Sequence, residues 1–126
     1  MNDQRVSIFP PSRRDGDVTR EVLRRAGLVC TVCRDAAEVA HEIDTGTGAL
    51  IMTDAALALP SIQTVLASLS RQPAWSDLPV VLLCQTEPQT PAVFGILKAL
   101  TNVTVLDRPT SARTLVSTVR AALRGR

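Results

Sequence analysis

Asp54 ends the uncharged run Leu50-Ile51-Met52-Thr53 and opens the segment Ala55-Ala56-Leu57. An apolar stretch of this length, preceded by Gly46-Thr47-Gly48 and followed by Pro60, reads as a buried strand that delivers one acid to its carboxyl end. In open parallel α/β sheets that end is where ligands and chemistry collect. The carboxylate has two readings: a group that reacts, or an acid that caps the turn-like segment leading to Pro60. Other chemistry-bearing residues are few. Cys30-Thr31-Val32-Cys33 has C-x-x-C spacing but lies in a β-branched run, where residues three apart point to opposite faces of a sheet. The two thiols therefore diverge and serve as small apolar residues, and with one histidine there are too few ligands for zinc. His41 falls beside the apolar stripe of a helix and is read as having no chemistry. The segment PPSRRDGD lacks both G-x-G-x-x-G and the P-loop pattern. With no tyrosine and no base–nucleophile pair at the strand ends, no catalytic residue is assigned and the chain is not read as an enzyme.

The elements that position Asp54 can be read from periodicity. At 126 residues the chain is expected to form one domain, 1–126, with a core that needs no staples. The 45% hydrophobic and 21% charged composition is that of an ordinary globular protein. No apolar run approaches the ~20 residues of a membrane span, and MNDQRVSIF lacks the pattern of a signal peptide, so a cytoplasmic location is expected. Fourteen basic against 12 acidic residues and 2% aromatics provide no platform for nucleic acid.

Strands and helices alternate strictly. Arg5–Phe9 reads as the first strand, stopped by Pro10-Pro11. Asp15 stands where a helix N-cap belongs, followed by the stripe Val18, Val22, Leu23, Ala26 and a stop at Gly27. Leu28–Val32 is the second strand. Asp35 then caps a helix with Glu38 at capping-box spacing and Ala36, Val39, Ala40 and Ile43 inward. Ala49–Thr53 is the third strand, followed by a loop through Pro60 and a helix carrying Ile62, Val65, Leu66 and Leu69. Pro79–Cys84 is the fourth strand, apolar throughout, as strands covered on both faces are. Val93, Ile96, Leu97 and Leu100 hold helical spacing. Asn102–Leu106 is the fifth strand, and a last helix begins at Ser111 with Leu115, Val116, Val119 and Leu123 inward. Five such repeats predict a doubly wound (βα)5 three-layer sandwich with a flavodoxin-like parallel sheet of order 2-1-3-4-5.

The strand ends that line the crevice of such a fold carry Pro10-Pro11, Asp54, Cys84 and Asp107-Arg108-Pro109. The five-fold alternation, the acid ending strand three and the basic residue before proline in "VLDRPTSARTLVSTV" resemble the receiver domain of two-component response regulators, over Val6 to Leu123. The resemblance implies that Asp54 is the candidate phosphoacceptor, served by Mg²⁺ held on an acid pair after strand one. A carboxylate attacking a phosphoryl group needs that charge neutralisation. This chain has Pro10-Pro11 where the pair belongs, and proline offers neither a ligand side chain nor an amide donor. Asp15 and Asp17, the nearest acids, fall at a helix start. Cys84 replaces the family's serine or threonine with a weak donor, Arg108 replaces its lysine with a planar fork able to pair with Asp54 directly, and Val105 stands at its strand-five aromatic position.

These departures point to a degenerate receiver that holds no cofactor, with Mg²⁺ required only if the site functions, and that acts through contacts with a histidine kinase or an output domain. The resemblance places an interaction face on the fourth helix, fifth strand and fifth helix, at Gln89, Lys98, Val105, Arg113, Thr114 and Arg120, with self-association into a homodimer through that face or the first helix. The alternatives are a phosphorylatable receiver using Asp54 with an atypical metal arrangement, and a small-ligand-binding module on the same fold.

Overall fold

Strand β1 (Val6–Phe9) is buried along its whole length and lies between two parallel neighbours. In the computed structural model the described residues are 5–10, 12–57, 59–71, 78–84, 102–107 and 110–124. They form β2 (Cys30–Val32), β3 (Ala49–Thr53), β4 (Val80–Cys84) and β5 (Val103–Asp107). The five strands make one parallel sheet in the order β2-β1-β3-β4-β5, the predicted flavodoxin-like order. Helix α1 (Arg13–Arg25) follows β1, α2 (Ala36–Thr45) follows β2, α3 (Asp54–Leu57) and α4 (Ile62–Ser70) follow β3, and α5 (Ala112–Arg124) follows β5. The helix predicted around Val93–Leu100 lies outside the described residues.

Strand parity divides the core into two layers. Leu50, Met52, Val80 and Leu82 face α2 and α4 through Val39, Ile43, Ile62 and Val65. Val6, Ile8, Ile51 and Val81 face α1 and α5 through Leu23, Leu115, Val119 and Leu123. Cys33 belongs to the first layer and Cys30 packs on the second, so the two thiols of the C-x-x-C spacing do lie on opposite faces.

Local chemistry sets the helix ends. The N-cap of α1 is Ser12, three residues before the predicted Asp15: its hydroxyl accepts the Asp15 N–H at 3.2 Å and donates to the Asp15 carboxylate at 3.1 Å. An acid three residues into a helix completes a reciprocal cap, and it is easily mistaken for the cap itself because both positions favour carboxylates. At the other end Gly27 has φ 84°, Gly27 N–H bonds Arg24 O and Leu28 N–H bonds Leu23 O, the paired bonds of a glycine-terminated helix. For α2 the predicted N-cap Asp35 accepts the Glu38 N–H at 2.9 Å.

Several bounds differ from the sequence expectation, β1 and β4 each starting one residue later, at Val6 and Val80. β2 starts at Cys30 rather than Leu28, with Val29 exposed before it. β5 is shifted by one residue, to Val103–Asp107, and includes Asp107. Asp54 leaves the sheet in the four-residue helix α3, within the segment expected to be a loop.

Gly16 fixes where α1 rests. It is buried inside the helix, and a Cβ built there would stand 2.8 Å from both Pro10 Cγ and Val32 Cγ1. A proline ring and a β-branched side chain have little freedom to yield. Helix propensity alone would favour Gly16→Ala by about 1 kcal/mol, whereas overpacking costs about 1–3 kcal/mol. The clash should win, so Gly16→Ala is expected to lower the urea midpoint; a raised midpoint would show that α1 does not press on Pro10.

Candidate functional site

The parallel register brings the strand ends together at the carboxyl edge: Phe9 pairs with Met52, Thr53 with Leu83, and Cys84 with Asp107. Asp54, the residue after β3, is partly exposed as the first residue of α3. Cys84 is 1% exposed, so its side chain is part of the core rather than a surface switch residue. Its thiol is pushed up from the ordinary range first by burial and then by the charges of Asp54 and Asp107. Both carboxylates therefore bear electrostatically on the Cys84 thiol.

The region after β1 is built differently. Pro10 sits partly buried beneath Gly16, and the acids on either side of that glycine diverge. Asp15 lines a cavity of about 270 Å³ between α1 and α5, together with Ile8, Ile51, Thr53 and Leu115. Asp17 lines a separate cleft on the β2 side with Val32, Cys33 and Arg34. Among the described residues no three histidine, cysteine, aspartate or glutamate side chains form a group able to hold a metal ion. The described donor set does not fit the Mg²⁺ centre that the resemblance implies, since a hard cation of this kind relies on converging carboxylates.

Sequence reasoning passed over two residues here. Thr53 is 5% exposed, and among the described residues its hydroxyl has no hydrogen-bond partner. The other buried hydroxyls do: Ser7 and Thr47 bond one another at 2.9 Å, and Ser68 accepts from Arg71 at 2.8 Å. Gly16 was the second, and its signal was a glycine inside a helical stretch, which implies a packing reason.

The remaining candidates are spread over the fold. Val105 is 45% exposed on β5, two residues back from the strand end. Arg113 and Arg120 are exposed on α5, but both line a groove against α1 with Val22 and Arg25. Arg120 donates to Ala26 O at 2.7 Å, closing the C-terminal end of α1. Thr114 donates its N–H to the Ser111 hydroxyl at the start of α5. Pro11, Arg108, Pro109, Gln89 and Lys98 lie outside the described residues, and with them the expected Asp54–Arg108 pair.

No family model matches the sequence, and no curated protein matches it. Solved structures do match. A CheY-like response regulator receiver domain protein from Methanospirillum hungatei superposes with a TM-score of 0.77 at 14% identity, covering 98% of this chain and 96% of that one. The receiver domain of the Francisella response regulator 1452 gives 0.74 at 19% identity over 97% and 98%. The chemotaxis response regulator CheY4 of Vibrio cholerae gives 0.74 at 18% identity over 97% and 100%. The chain thus has the fold of response-regulator receiver domains along nearly its whole length. No helix among the described residues is long and apolar enough to cross a membrane.

Thiol chemistry reports on this edge. Cys33 is 1% exposed and its thiol is pushed up to about 12 by burial and by Glu42, Glu38 and Asp35. At pH 8 its thiolate fraction is then about one in ten thousand. Ellman's reagent should modify Cys30, which is only partly buried, well before Cys33 and Cys84, and all three only on unfolding. The raised Cys33 value also means that ionisation favours the unfolded chain: stability is complete below the ordinary thiol value of 9.0 and falls as pH rises towards 12. Modification of Cys84 as fast as Cys30 would show an open strand end.

Proposed function

We propose that the chain is a degenerate receiver: a two-component signalling module that keeps the receiver fold and an acid at the phosphoacceptor position, and works through protein contacts rather than an Mg²⁺-assisted phosphoryl transfer. The observation that carries this reading is the end of β1. Pro10 stands there under Gly16, and Asp15 and Asp17 are turned to opposite sides. A phosphoryl group arriving at Asp54 would meet further negative charge from Asp107 and a buried thiol in place of a hydroxyl donor. Both oppose the charge neutralisation that the reaction needs. The receiver-like fold supports a histidine kinase or output domain as the partner, and Val105, Arg113 and Arg120 remain the described candidates for such contacts. Self-association belongs to the same reading, since either partner would be recognised by surface complementarity and not by chemistry at Asp54.

Incubation with acetyl phosphate and Mg²⁺, followed by intact-mass analysis, is expected to leave the protein unmodified. Stoichiometric phosphorylation that disappears in Asp54→Asn would overturn the reading in favour of a working phosphoacceptor.

A further inference from the structure

The cavity between α1 and α5 lies on the opposite layer of the sheet from α2 and α4, and its walls are apolar: Ile8, Ile51, Leu83 and Leu115 are all buried. Into this lining the fold sets one buried hydroxyl, Thr53, without a partner among the described residues. Leaving a buried hydroxyl unsatisfied is costly, and native proteins rarely do so without a reason. We propose that this cavity is a binding site for a small, mostly apolar molecule carrying a single hydroxyl or carbonyl, which the Thr53 hydroxyl engages.

The dimensions and charges narrow the ligand class. At about 270 Å³ the space is just below the range of drug-sized ligand pockets and suits a small molecule. Among the described residues no lysine or arginine lines it, and the carboxylate present is Asp15. Anions, phosphate included, are therefore disfavoured, while neutral amphiphiles are admitted. Thr110 and the 58% exposed Val18 also line the cavity, giving a path from solvent. Thr53 immediately precedes Asp54, so an occupant would touch β3 one residue from the phosphoacceptor position. The inference does not rest on the receiver reading: it holds whether or not Asp54 is phosphorylated.

Phenol and toluene are suitable probes, alike in shape and differing by one hydroxyl. Methyl-detected NMR titrations of the wild-type chain should give saturable shifts at Ile8, Ile51, Leu83 and Leu115 with both. In Thr53→Val, which keeps the shape of the side chain and removes the hydroxyl, the phenol-to-toluene affinity ratio should fall about tenfold, the worth of one hydrogen bond. Ala112→Trp, at an exposed position lining the cavity, should abolish both titrations while leaving the remaining spectrum unchanged. No saturable shifts in the wild type, an unchanged ratio in Thr53→Val, or undiminished binding in Ala112→Trp would each overturn the proposal.

Discussion

The close approach of Gly16 to Pro10 and Val32 governs much of what this molecule can do. It lets α1 lie on the strand ends of β1 and β2 without an intervening side chain. From that placement follow the directions of Asp15 and Asp17, which flank the glycine and are carried to separate clefts. The cavity beside α1 lies at the same end of the sheet, with Pro10 among its lining residues. Two residues with no chemistry of their own thus decide where the nearest acids point. The cap formed by Ser12 and Asp15 acts in the same direction, because it engages one of those acids in ending the helix.

Electrostatics at the strand ends reinforces this geometry. Asp54 and Asp107 both bear on Cys84, and the thiol is kept neutral by burial as well as by their charge. An acidic pocket floor is useful when a divalent cation is gathered into it and unfavourable when one is not. Here one carboxylate follows β3 and the other is the last residue of β5, and the β1 end contributes a proline ring instead of a third acid. In the degenerate-receiver reading proposed above, the sheet supplies the position of a receiver's reactive acid without the surroundings that would make it react.

Much of the fold was legible because strand and helix periods differ so clearly along this chain. β3 runs from Ala49 to Thr53 as its apolar run predicts, and the buried β4 was marked by the absence of polar alternation. The α2 cap was legible because Asp35 and Glu38 stand at the spacing that a reciprocal cap requires. The start of α1 was misread because serine and aspartate compete for the same role, and only the hydrogen bonds distinguish them. Helix α3 is too short to show a period. At the site, the replacement of the acid pair by Pro10 could be read directly, whereas the role of Gly16 depends on a contact between elements. Thr53 was hidden for a related reason: at the end of an apolar strand it reads as a harmless terminus, and only the packing of α1 and α5 shows its hydroxyl to be stranded.

A degenerate receiver requires that the end of β1 cannot complete a cation site with Asp54. An Mg²⁺ titration followed through backbone amide shifts tests it most directly, because it asks about the metal alone. The amides of Phe9, Ser12, Asp54 and Cys84 are expected to show no saturable shift in the millimolar range. A saturable millimolar response at those amides, lost in Asp54→Asn, would contradict it.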